Sequence, residues 1–179
     1  EWKQLKTDPG AKFDKQSYKT SGGLHGIGLK AVNFLSRWCE ATICRGGAMY
    51  QQEFEAGVPM GDLKRIGTTT KRGTKITFKP DGEIFTTTKF QYDVLQRRLR
   101  ELAFLNRGVK IRIVDERTNS SEDFCFQRGI IEFVEHLNRS SEAVHSDILY
   151  LQTEVEGVQM EVAFQYSTEY TENIHSYVN

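Results

Sequence analysis

Gly22-Gly23-Leu24-His25-Gly26-Ile27-Gly28 runs directly into Leu29-Lys30-Ala31-Val32-Asn33-Phe34-Leu35. Glycines at this density cost backbone entropy on folding, so stability does not explain them. They allow positive φ and let a ligand approach without meeting a Cβ. The apolar stretch after them reads as a helix from Leu29 to Arg37, and a helix start offers free N–H groups and a partial positive charge. Loop plus helix start is the pattern of a phosphate site. The preceding segment, Lys12 to Ser21, is polar and carries three lysines, Lys12, Lys15 and Lys19.

Three kinds of glycine loop compete for this string. The P-loop needs two glycines flanking four residues, then Lys and Ser or Thr, and no such string occurs. The dinucleotide fingerprint is nominally met by Gly26-Ile27-Gly28-Leu29-Lys30-Ala31. It requires a buried apolar strand just upstream, and the charged Lys12–Ser21 segment cannot supply one. The third kind is carried by a longer set of blocks. These are Lys12-Phe13-Asp14, Ser17-Tyr18-Lys19, Ser21 through Gly28, Ala31-Val32-Asn33 and Leu35-Ser36. Further along come Gly57-Val58-Pro59, Gly73-Thr74 with Phe78, and Leu99 through Asn106. Gly129-Ile130, Phe133 through Asn138, and Glu172-Asn173-Ile174 complete them.

In order and spacing these blocks resemble the ATPase components of the bacterial type II topoisomerases, gyrase B and its topoisomerase IV counterpart. The match is weak only over Glu1–Gly10. The resemblance implies an α+β fold. Its first part would be the C-terminal part of a Bergerat-type (GHKL) ATPase sandwich over residues 1–126, and the start of an α+β transducer domain would follow over 127–179. It implies ATP and Mg2+ as cofactors. It also implies double-stranded DNA, a gyrase A-like protein in an A2B2 assembly and ATP-dependent homodimerisation as partners, in the cytoplasm. ATP binding would close the lid, lock two ATPase domains together and drive passage of one duplex through another.

Residue by residue, the resemblance places Gly23, Leu24, His25, Gly26, Ile27 and Gly28 around the phosphates, His25 mainly through its backbone. It places Lys12 on the phosphate side, Tyr18 towards the adenosine and Thr74 beside the adenine. No catalytic residue is expected in the chain. The family's general-base glutamate, Mg-binding asparagine and DxGxG aspartate lie upstream of the lid, and its second-domain lysine would lie beyond Asn179. Asp81-Gly82-Glu83 does not match DxGxG. We therefore expect an excised piece of a longer ATPase that is inactive alone; a non-catalytic dimerisation module derived from such an ATPase is the alternative. The hairpin register puts Gln51, beside Gln52, where many members carry an arginine at the adenine rim. Inhibitors relying on that cation are expected to bind more weakly, because a Gln cannot stack as a cation.

Composition is compatible with this. At 179 residues the chain can hold one good core or two small ones. Lys+Arg and Asp+Glu balance at 24 each, which argues against a wholly DNA-gripping surface but leaves room for a local basic patch. No apolar run reaches membrane-spanning length. Cys39, Cys44 and Cys125 read as buried reduced thiols of a cytosolic protein, and the four histidines lack metal spacing.

Elsewhere the periodicities predict a hairpin of 40–45 and 48–55 around Gly46-Gly47 and a strand over 74–79. They also predict a helix over 89–106 and a hairpin of 109–114 with 123–127. A second unit is expected from about Gln127, with a short helix, strands over 148–154 and 158–166, and a last strand over 173–179.

Overall fold

The computed structural model describes residues 27–170 and 172–178. These fall into two compact units, one of residues 27–89 with 176–178 and one of Phe90–His175.

The first unit is a short helix on an antiparallel sheet. Helix α1 (Ile27–Phe34) ends where Ser36 donates its hydroxyl to the Val32 carbonyl at 2.6 Å. Strand β1 (Ser36–Arg45) starts at that serine, so the helix stops short of its predicted end at Arg37. β1 pairs with β2 (Ala48–Glu55) through Gly46 and Gly47, whose φ values of 61° and 77° suit a two-residue hairpin turn. β3 (Val58–Pro59) and β4 (Lys64–Thr68) both pair with β2, and β5 (Gly73–Pro80) pairs with β1. The sheet therefore runs β3-β2-β1-β5, with β4 also on the outer side of β2.

Alternation along β1 and β2 sorts the side chains. Cys39 and Ala41, with Ala48, Gln52 and Phe54 opposite, are buried on one face. Glu40, Thr42, Gln51 and Glu53 stand on the other. The buried face accepts one amide because Gln52 donates to the Gly61 carbonyl at 2.6 Å. Of the three cysteines expected to be buried only Cys39 is, Cys44 being half-buried and Cys125 exposed; burial and then the neighbouring Glu40 charge push the Cys39 thiol up.

In the second unit, helix α2 (Tyr92–Leu105) lies on the hairpin β6 (Ile111–Asp115) and β7 (Ser120–Phe124). Ala103, Ile113 and Phe124 are its buried centre, ringed by Tyr92, Leu99, Ile111 and Phe126. Phe104 stacks on Phe126 at 3.7 Å between centroids and on Phe133 at 5.0 Å, tying in α3 (Ile130–Leu137). β7 starts ahead of the predicted strand, at Ser120 rather than Asp123. Arg117 folds its backbone N–H and guanidinium onto Asp115, and Asn119 takes φ 53°, so the turn is tighter than the run 117–121 suggested. Three of the α2 charges are engaged within the unit: Arg98 pairs with Glu101, and Arg100 pairs with Glu122 while its guanidinium stacks over Phe124.

β8 (Leu149–Val155) and β9 (Val158–Phe164) form a second hairpin, tied near its base by an isolated bridge between Ala143 and Ser167. The predicted strand over 173–179 does not form across 172–178. Ile174 and Val178 there are 81% and 98% exposed, and no strand pairs with them among the described residues. The α+β class with antiparallel sheets is as expected.

Candidate functional site

Of the residues the sequence singles out, Lys12, Tyr18, Gly23, Leu24, His25 and Gly26 lie outside the described residues. Ile27, Gly28 and Thr74 lie within them. Ile27 and Gly28 belong to α1 rather than to a loop ahead of it, so the helix includes the last two positions of the glycine string. A Cβ on Gly28 would meet nothing within 4 Å, so packing among the described residues does not require a glycine there.

Thr74 sits near the start of β5, directly opposite Ile43 of β1. Ile43 in turn faces Tyr50 of β2, so these three share one face of the sheet. Following the alternation, that face continues through Ala41 and Cys39 on β1 and Ile76 on β5. It is the buried face, mainly apolar, with the Thr74 hydroxyl at its exposed edge and Tyr50 and the buried Gln52 amide as its other polar groups. Such a face suits a flat heteroaromatic base with few polar contacts.

The register overturns one expectation. Gln51 pairs with Thr42, one residue out of phase with the Ile43–Tyr50 pair, and therefore stands on the face opposite Thr74. There its amide donates to Glu40 at 2.7 Å, and Thr42 donates to the other Glu40 oxygen at 3.3 Å. Gln51 is a spoke of a polar surface network, not a rim residue. Besides Arg65 of β4, which lies opposite Tyr50, the cation on the face of Thr74 is Arg45, the last residue of β1, in phase with Cys39, Ala41 and Ile43. Period-two counting from Thr74's partner would have found it, but that requires knowing the β1–β5 register, which no local pattern encodes. Two further features were not legible: the Gln52–Gly61 bond, and the buried carboxamide oxygens of Asn33 and Gln52, which have no partner among the described residues.

Comparison with known proteins identifies the family. A family model described as DNA gyrase B matches residues 129–179. The chain is 51% identical over 172 residues to the DNA gyrase B protein of Halalkalibacterium halodurans, covering 95% of this chain and 27% of that protein. It is 48% identical over 174 residues to the DNA topoisomerase 4 B protein of Enterococcus faecalis, covering 95% of this chain and 25% of that one. Among solved structures it resembles the 43K ATPase domain of Thermus thermophilus gyrase B, determined in complex with an aminocoumarin. That match has a TM-score of 0.75 and 30% identity, and it covers 82% of this chain and 40% of that one. The chain thus spans about a quarter of the length of these two curated relatives. The chain belongs to the family of bacterial gyrase B and topoisomerase IV B proteins, within their ATPase region.

Proposed function

We propose that this chain supplies part of the nucleotide site of an ATP-dependent type II DNA topoisomerase. The observation that carries the reading is the placement of Thr74 on the buried apolar face of a sheet whose fold matches a gyrase B ATPase domain. In this reading the lid positions Lys12, Tyr18 and Gly23 through Gly28 close over the triphosphate, with Ile27 and Gly28 continuing into α1. Thr74 holds the adenine edge, and Arg45 stands at the rim of the same face.

ATP binding, lid closure and pairing of two ATPase regions would then shift a conformational equilibrium that drives strand passage. The partners are duplex DNA and a gyrase A-like protein, in the cytoplasm, and a transducer unit begins near Gln127, a boundary supported by the family match from residue 129. Mg2+ enters with the nucleotide and neutralises phosphate charge. Among the described residues no group of three or more His, Cys, Asp or Glu stands together, so we assign no magnesium ligand and derive no step through the ion. We assign this chain binding and positioning, not the general base, because hydrolysis needs an oriented water and a base that the matched residues do not include.

Calorimetry with a non-hydrolysable ATP analogue and magnesium tests this. It compares the 179-residue chain with a chimera that joins the upstream segment of the Halalkalibacterium relative to it. Binding by the chimera, with dimerisation, is expected. Binding by neither protein would contradict the proposal.

A further inference from the structure

The chain is electrically neutral, yet its charges are not evenly spread. From Leu63 to Pro80 there are six cations, Lys64, Arg65, Lys71, Arg72, Lys75 and Lys79, and no acidic residue. The rest of the chain consequently carries an acidic excess. All six are exposed, and none forms an ion pair among the described residues, whereas α2, β6 and β7 pair most of theirs.

The fold gathers most of these cations at one end of the first sheet. β4 runs up to that end outside β2, with Thr68 opposite Ala48. The chain then crosses over the Gly46-Gly47 turn, where Thr69 donates its backbone N–H to the Gly47 carbonyl at 3.1 Å. It starts back down outside β1, with Gly73 opposite Cys44. Lys71 and Arg72 lie on the crossing. Arg65, opposite Tyr50, flanks it on the Thr74 face of β4, and Lys64 and Lys75, opposite Gln51 and Thr42, flank it on the other face. The crossing spans three strand spacings, about 14 Å. Duplex DNA presents a phosphate charge about every 1.7 Å of its axis, so a contact of that width faces roughly eight charges.

We infer that this cationic crossing is a docking surface for the phosphate backbone of duplex DNA. The choice of duplex among polyanions rests on the proposed function; the charge pattern itself does not depend on it. Unpaired, clustered cations gain from counterion release without first breaking internal ion pairs. Backbone contacts of this kind carry no sequence preference.

The experiment is fluorescence anisotropy of a labelled duplex of about 20 base pairs against the 179-residue chain over a series of NaCl concentrations. The collar variant is Lys64→Gln, Arg65→Gln, Lys71→Gln and Arg72→Gln together. The control is Arg97→Gln, Lys110→Gln, Arg112→Gln and Arg139→Gln, the same loss of charge from the second unit. Thermal melting of both variants verifies that they fold. The expected result is salt-dependent binding whose log–log slope becomes shallower by about 3 to 4 in the collar variant, with affinity down at least about tenfold at low salt. The control should keep the wild-type slope. Absence of duplex binding at low salt, a collar variant that binds like wild type, or equal competition by poly-glutamate would each overturn the inference. Nucleotide binding is measured separately and without DNA, so duplex binding that survives a failed nucleotide test counts for this surface and against the ATPase reading.

Discussion

The hairpins β1–β2 and β8–β9 look alike in sequence and differ in what they bury. Both alternate apolar and polar residues and both turn in two residues. In β1–β2, Cys39, Ala41, Ala48 and Phe54 are 3–4% exposed. In β8–β9, the in-phase apolar set Leu149, Leu151, Val155, Val158, Met160, Val162 and Phe164 is 37–69% exposed among the described residues. Alternation therefore identifies a strand and its apolar face, while the energy that face contributes depends on what covers it.

Truncating one buried and one open apolar residue gives the largest contrast. Phe54→Ala should cost about 3–5 kcal/mol in urea unfolding, which is enough to threaten the first unit. Leu151→Ala should stay within about 0.5 kcal/mol of wild type. Equal losses would break the comparison.

The hairpin glycines sharpen it further. Gly57 and Gly157 hold φ of 83° and 81° in equivalent two-residue turns. A Cβ at Gly57 would sit 2.2 Å from the Phe34 ring, whereas at Gly157 it would meet nothing within 4 Å. Alanine at either position incurs left-handed strain of about 1–2 kcal/mol. Only Gly57→Ala should add an overpacking cost of about 1–3 kcal/mol, read as a lower urea midpoint.

At the site, the two sheet faces make the contrast. In the chimera with the upstream segment, Arg45→Ala should weaken binding of the ATP analogue several-fold by calorimetry, a loss of about 1 kcal/mol. Gln51→Arg should leave it unchanged, and a gain from that substitution would return the rim to the opposite face.

The smallest effect belongs to Asp115. Hydrogen bonds from the Arg117 side chain hold its carboxyl at about 2, below the usual aspartate value of about 3.9. A depressed folded-state pKa contributes stability that is present above about pH 4 and lost as pH falls towards about 2. Asp115→Asn should therefore lower the melting temperature slightly at neutral pH, and the difference from wild type should vanish near pH 2, the folded-state value.

What was legible in the sequence follows from which interactions are local. The Gly46-Gly47 hairpin, the α2 stripe of Tyr92, Leu95, Leu99 and Leu102, and the β8–β9 pair each announce themselves within a few residues. The start of β1 at Ser36 was misplaced because a single side-chain bond to Val32 ends α1. β3 and β4 were missed because two- and five-residue strands with exposed side chains carry almost no periodic signal. At the candidate site, the sidedness of the strand residues was not readable. Gln51 and Arg45 stand on opposite faces, a one-residue difference of phase, and their relation to Thr74 is set by pairing with β5, a separate strand well downstream.

The central claim is that the Thr74 face of the first sheet is the nucleotide face. Its most direct test is an amide 1H–15N NMR titration of the chimera with the non-hydrolysable ATP analogue and magnesium. Shifts at Gly28, Ile43, Arg45 and Thr74, with Glu40 and Gln51 unmoved, are what this account predicts. Shifts centred on Glu40 and Gln51 with Thr74 silent would contradict it.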